Sequence, residues 1–92
     1  MEGFEWDPVK AAENLKKHEI DFADAAVALA DPLALTIDDP DAEDEERFIS
    51  LTMGPDGVVL VTVYTYVEEN IRIISSRKAS SSERKTYEAG YA

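Results

Sequence analysis

The sequence predicts an α+β fold: an N-terminal strand and two helices, then an antiparallel meander of about four strands and a C-terminal helix. Three observations predict it. Asp7-Pro8 and Asp21 each introduce a helical stretch near the N-terminus, Gly54-Pro55-Asp56-Gly57 separates two runs of strand character, and Ser80 with Glu83 forms an S-x-x-E capping box. A chain of 92 residues builds one modest core, so residues 1–92 are expected to form a single domain.

Phe4-Glu5-Trp6 alternates apolar and polar side chains as a short strand does. Asp7 can then cap free amides while Pro8 suits a first helical position, predicting a helix from Pro8 to about His18. On that helix Ala11, Asn14, Leu15 and His18 follow the i, i+3, i+4, i+7 spacing, which puts His18 at the edge of a buried stripe shared with Leu15. Asp21 starts a second, alanine-rich helix from Phe22 to about Ala30, thin enough to pack closely, and Asp31-Pro32 ends it. Leu33 to Ile37 reads as a strand. In Arg47 to Met53, Ile49, Leu51 and Met53 alternate with Ser50 and Thr52, the period of a half-buried strand whose apolar set faces the core. The Gly-Pro-Asp-Gly turn joins it to the β-branched and aromatic run from Val58 to Tyr66; the polar turn Val67 to Asn70 and a strand from Ile71 to Ser76 complete the meander. Gly90 stops the last helix.

Charge is unevenly spread. Nine Lys and Arg face twenty Asp and Glu, a net charge of −11, yet seven of the acids lie between Asp38 and Glu46. That stretch self-repels and holds Pro40, so it reads as an exposed loop; the glycine and spacing of an EF-hand are absent. Eight of the nine bases gather in two places: Lys10, Lys16 and Lys17 beside the only histidine, His18, and Arg72, Arg77, Lys78, Arg84 and Lys85. Such clustering within a repulsive field suggests a local anion site.

Candidate chemistry follows from these positions. Arg72 leaves the strand face used by Ile71 and Ile73, so that face is either solvated or lines a concavity. Arg77 and Lys78 close a strand immediately before the Ser80 cap, and a strand end followed by a helix N-terminus is a common place for an anion. His18 titrates nearest neutrality and can exchange a proton at a phosphodiester, though a helix C-terminus favours a surface histidine for its dipole alone. Tyr64 and Tyr66 share one strand face, suited to base stacking or to cross-strand packing. A chain with no cysteine and one histidine lacks the donors of a zinc site, and no metal or cofactor is expected. No nucleophile elbow and no glycine-rich phosphate loop is present. Met1 to Trp6 has neither a basic head nor an apolar run, so no secretory signal or membrane association is expected and the cytoplasm is the default location.

Two blocks of residues carry a family resemblance. The first is Trp6-Asp7-Pro8, Lys10-Ala11, Asn14, Lys17-His18, Ile20, Phe22, Ala25 and Asp31-Pro32; the second is Ile71 to Ala79 with Glu83-Arg84 and Tyr87, and Arg47 stands before the central strand. With these the chain resembles the BrnT toxins of bacterial type II toxin–antitoxin systems. The resemblance implies a RelE-like ribonuclease fold and a metal-independent endoribonuclease. It also implies a ribbon-helix-helix antitoxin that neutralises the toxin and makes whatever DNA contact the pair makes. In that chemistry a ribose 2′-hydroxyl attacks the neighbouring phosphate, so the site needs a proton carrier and cations. The resemblance gives the first role to His18 or Lys17, and phosphate binding to Lys17, Arg47, Arg72 and Arg77; Lys78, Tyr64 and Tyr66, from their own strand positions, are the candidate further RNA contacts. These groups are expected to meet in one pocket. Ser76 stands where alanine is commoner in the family. The acidity is unusual for an enzyme that cuts RNA, and leaves open a non-catalytic module that only binds its antitoxin.

Overall fold

The protein is described by a computed structural model over residues 2–90. In chain order it contains β1 (Phe4–Glu5), α1 (Pro8–His18), α2 (Phe22–Ala28), β2 (Leu35–Asp38), β3 (Phe48–Met53), β4 (Val59–Val67), β5 (Asn70–Lys78) and α3 (Ser81–Ala89). The five strands form one sheet in the order β1-β5-β4-β3-β2. The predicted meander is β2 to β5, every neighbouring pair antiparallel, and the α+β architecture is as the sequence predicts. β1 adds to its end in parallel with β5, pairing Phe4 with Ile71 and Glu5 with Arg72.

Local signals set most boundaries. Asp7 accepts from the Val9 and Lys10 amides and Asp21 from Ala23, as caps do; Ser80 and Glu83 close the capping box in both directions. α2 stops at Ala28, two residues short of expectation. Asp31 there turns the chain by accepting from the Leu33 amide. Between β3 and β4, Gly54 is required: a Cβ would meet the Leu60 side chain and the Val58 carbonyl at 2.8 Å. The two-residue turn Glu68–Glu69 fixes the β4–β5 register, with Val67 opposite Asn70, until a bulge at Val63/Tyr64.

The core lies between the sheet and α2. Phe22, Ala25, Ala26 and Ile73 are buried there, with Trp6 edge-on to Phe22 at 6.2 Å between ring centroids. Burying Phe22 alone stabilises the fold by about 1.5–3 kcal/mol. On β3 the alternation is kept but the faces are reversed from expectation. Ser50 and Thr52 are buried, whereas Ile49 and Leu51 are half-buried and Met53 exposed. Small hydroxyl side chains fit beneath the close-packed alanines: Ser50 joins Thr36 at 2.7 Å and the Tyr64 hydroxyl at 2.8 Å, and Thr62 joins Ser76 at 2.9 Å, while the Thr52 hydroxyl has no hydrogen-bond partner among the described residues. On α1 the buried position is Asn14, and Leu15 is 49% exposed, so His18 does not share a buried stripe with it.

α3 crosses the opposite face of the sheet and is pinned at its far end. The Tyr87 hydroxyl donates to Asp31 Oδ2 at 2.5 Å, and the same carboxylate accepts from the Met53 amide. That bond, together with burial, pushes the Tyr87 phenol up to about 12. A group whose folded pKa is raised stabilises fully below its unfolded value, near 10, and the contribution is lost as pH rises through 12. Thermal stability is therefore expected to fall more steeply between those limits in the native protein than in Tyr87→Phe, measured by melting across an alkaline pH series; parallel curves would show that the bond contributes nothing.

Candidate functional site

The register of the sheet builds a row of charge across the face that carries α3. Glu5 pairs with Arg72 and Arg72 with Thr65, while Arg47 sits one residue before β3 and accepts at its carbonyl from the Asp39 amide. Residues opposite one another in a sheet share a face, so Glu5, Arg72, Thr65, Arg47 and Asp39 run in one line across five strands. Arg47 and Arg72 thus flank Thr65 from backbones about 10 Å apart, two strand spacings. The Thr65 hydroxyl donates to the Glu46 carbonyl at 2.6 Å and fastens the acidic loop to the row.

Each guanidinium of the row has a carboxylate from this chain. Arg72 meets Glu5 at 2.7 Å, and its hydrogen bond, with one from Asn70, holds the Glu5 carboxyl below the usual range. Arg47 Nε lies 3.5 Å from Asp39 without hydrogen-bond geometry, and this buried nitrogen has no partner among the described residues. The Arg47 guanidinium also makes one long bond to backbone, from Nη2 to the Asp41 carbonyl at 3.4 Å. Arg72 also lines a cleft of about 400 Å³ with Lys10, Asp7 and Trp6.

Arg77 is held elsewhere. It grips both oxygens of Glu83, at 2.8 and 3.0 Å, and Glu83 also receives the Ser80 amide. The Arg77 hydrogen bond is the main reason that the Glu83 carboxyl is lowered to about 2. The anion place expected at the start of α3 is thus occupied by a side chain of the protein itself. Because the pair is partly solvated, its stabilising effect is small, about 1 kcal/mol or less, present above the ordinary carboxylate range and lost as pH falls toward 2.

His18 and Lys17 end α1, the former half-buried and the latter exposed. α1 runs beside β5 in the same direction: Pro8 and Lys10 adjoin Arg72 to Ile74, Asn14 bonds Ser76, and Glu19 and Ile20 adjoin Lys78. By the rise per residue, His18 stands about 15–20 Å from Arg72 along that axis. The structure therefore brings Arg47 and Arg72 together and sets His18, Lys17 and Lys78 at the other end of β5, rather than in one pocket. Tyr64 is buried, with its hydroxyl on Ser50, inside a cluster with Phe48; Tyr66, 55% exposed, is the edge of that cluster open to a stacking partner.

Thr65 and the row as a whole escaped the sequence reading, although the signal existed. Once a two-residue turn at Glu68–Glu69 is granted, counting back from Val67 and Asn70 puts Thr65 opposite Arg72. For Asn14 the helical spacing gives the buried position but not its partners on β5. Among the described residues, no cluster of three or more His, Cys, Asp or Glu is placed to hold a metal ion, and no helix is long and apolar enough to cross a membrane.

The fold is of the small α+β class, with two arginines in one row on one face of its sheet. Comparison with known proteins narrows this: the family model described as "Ribonuclease toxin, BrnT, of type II toxin-antitoxin system" matches residues 6–83, and the chain belongs to this family. Among solved structures it is similar to the ribonuclease toxin BrnT of Brucella abortus, with 25% identity and a TM-score of 0.61, over 83% of this chain and 94% of that one. No curated protein sequence matches the chain. The family is that of ribonuclease toxins acting in toxin–antitoxin pairs, which implies an antitoxin partner and an RNA substrate.

Proposed function

We propose that this chain is an endoribonuclease that cleaves RNA without a metal, by attack of a ribose 2′-hydroxyl on the neighbouring phosphate, and that a ribbon-helix-helix antitoxin neutralises it in the cytoplasm. The observation that carries this proposal, beside the family match, is the pair Arg47 and Arg72 on one face of the sheet. Planar guanidiniums grip phosphate oxygens without losing charge, and both side chains keep accessible surface, 53% for Arg72 and 29% for Arg47. The Glu5 partner of Arg72 is no obstacle, since an exposed ion pair is worth about 0–1 kcal/mol and phosphate can replace it; the Arg47–Asp39 pair is the more buried of the two.

His18 is the proposed proton carrier, with Lys17 as the alternative, and Lys78 and Tyr66 as flanking RNA contacts. Because Arg72 and His18 stand at opposite ends of β5, the RNA strand runs along α1, gripped at the arginine row and cut near His18. Chemistry and binding then separate in kinetics. Measured on RNA in the presence of a chelator, His18→Ala is expected to lower kcat about 10²-fold, and Arg72→Ala to raise KM about tenfold with kcat nearly kept. A fall in kcat alone for Arg72→Ala would instead put the reacting phosphate at the arginine row. Equal cleavage by the native protein and both variants would mark a contaminating nuclease and end the proposal.

The net charge of −11, with Arg47, Arg72 and Arg77 all facing carboxylates of the same chain, favours a second function: a module that binds its antitoxin and cuts nothing. Inducible expression discriminates between them. Growth arrest relieved by the neighbouring antitoxin gene and abolished by His18→Ala supports the nuclease, whereas arrest that survives substitution of His18, Arg47 and Arg72 together supports the module.

A further inference from the structure

On the face that α3 crosses, the helix covers only one border of the sheet. Beyond it lie two apolar rows, Leu35, Leu51 and Val61, then Ile37, Ile49 and Val63, flooring an open cleft of about 550 Å³. One wall is α3, through Ser82, Glu83 and Thr86. By register, the other border is the row of Arg72, Thr65 and Arg47. At its β2 end the cleft runs straight into the acidic loop, because Ile37 is followed by Asp38 and the carboxylates that continue to Glu46. Ile37, 62% exposed, is the most open residue of this apolar floor.

We propose that this cleft is where the antitoxin docks, and that its occupant is an amphipathic helix with an apolar stripe and a Lys- or Arg-rich edge. This rests on the toxin–antitoxin reading above and adds to it where the partner sits and why it inhibits. Shape and polarity set the stripe. A helix laid parallel to α3 fills the second half of a layer that α3 leaves unfinished, with anchors spaced i, i+3, i+4 and i+7 over the two apolar rows. Charge sets the edge: the row bordering the cleft is self-neutralised, whereas Asp41, Glu43, Asp44 and Glu45 beside it line a hollow in which, among the described residues, Arg47 is the one base. A basic edge is attracted there and a nucleic acid is repelled. Neutralisation follows from position, since a helix in this cleft lies against Arg72 and Arg47 and covers the guanidiniums proposed to grip RNA. The acidic loop, an unfavourable neighbour for RNA, is thereby explained as a partner-recruiting element.

The test is calorimetric titration with the product of the reading frame adjoining this chain's own, taken as the antitoxin proposed above, at low and moderate salt. Ile37→Glu places a charge in the cleft at an exposed position that folding does not need buried; Glu43→Gln, Asp44→Asn and Glu45→Gln together remove three of the seven negative charges between Asp38 and Glu46; Leu15→Glu, on α1 and away from the cleft, is the control. Ile37→Glu is expected to weaken binding at least about tenfold, and the triple change about three- to tenfold with a flatter salt dependence, while Leu15→Glu binds as the native protein does. Native-like binding by Ile37→Glu and by the triple variant would overturn the site and leave the partnership standing. Failure of the unaltered chain to bind at all would overturn both.

Discussion

Replacing Asn14 by alanine is expected to destabilise the protein by about 3–4 kcal/mol, lowering the melting temperature of a chain this size by roughly 15–25 °C. Asn14 is buried, 7% exposed, and spends its amide on backbone. Nδ2 donates to the Ser76 carbonyl at 2.9 Å and the Ile20 carbonyl at 3.0 Å, and Oδ1 accepts from the Ser76 amide at 3.1 Å. β1 ends at Glu5, so beyond Arg72 the outer edge of β5 has no strand beside it, and the Asn14 side chain stands in for one. Truncation leaves one buried N–H and two carbonyls without partners, each at about 1–3 kcal/mol where water does not reach. Aspartate is no remedy, because a second acceptor would then face two carbonyl oxygens. Leu15→Ala, one residue on and half exposed, should change stability by no more than about 0.5 kcal/mol. Thermal and urea unfolding decide the matter. A loss below about 1 kcal/mol for Asn14→Ala would mean that water replaces the amide and that the edge is not held by it.

The second large effect is expected at Asp31. Its carboxylate receives the Leu33 amide on one oxygen and both the Met53 amide and the Tyr87 hydroxyl on the other, tying the end of α2, the end of β3 and α3 together. Burial alone would raise its pKa, but the three hydrogen bonds, led by that from Tyr87, outweigh it and the carboxyl is lowered. Asp31→Ala is expected to cost about 2–4 kcal/mol, since hydrogen bonds to a charged group are worth about 1.5–3 kcal/mol and its partners are left in place. The consequence extends to the cleft, of which α3 is a wall. Hydrogen exchange should show α3 opening more readily in Asp31→Ala than in the native protein, while protection in β4 and β5 falls only by the global loss. Uniform loss of protection would instead make α3 an integral part of one cooperative unit.

The sequence carries the local part of this structure well. The caps at Asp7, Asp21 and Ser80, the Gly54 turn and the meander from β2 to β5 depend on interactions within a few residues, and each is found within a residue or two of its predicted place. The face of β3 was misjudged because alternation gives the period and not the sign. Ile49 and Leu51 are the more apolar set, but the alanine-rich α2 is on the other side, where the small Ser50 and Thr52 fit and Ser50 finds hydroxyl partners. The candidate site was half legible. Arg47 and Arg72 were nominated separately, and the sheet puts them in one row; His18 was expected beside them, but α1 runs the length of β5 before ending there.

By itself, then, the sequence determined the helices, the hairpins and the family to which the chain belongs, because capping, turn chemistry and local periodicity act over short stretches of chain. Tertiary structure alone decided which face of the sheet is buried, that an asparagine replaces a missing strand, that the arginines meet carboxylates from segments as distant as Glu5, and that an apolar cleft opens between α3 and the charged row. The physical reason is common to all four. Each is a choice of partner across the sheet, set by register and by which helix covers which face, and no side chain encodes its partner until the strands are side by side.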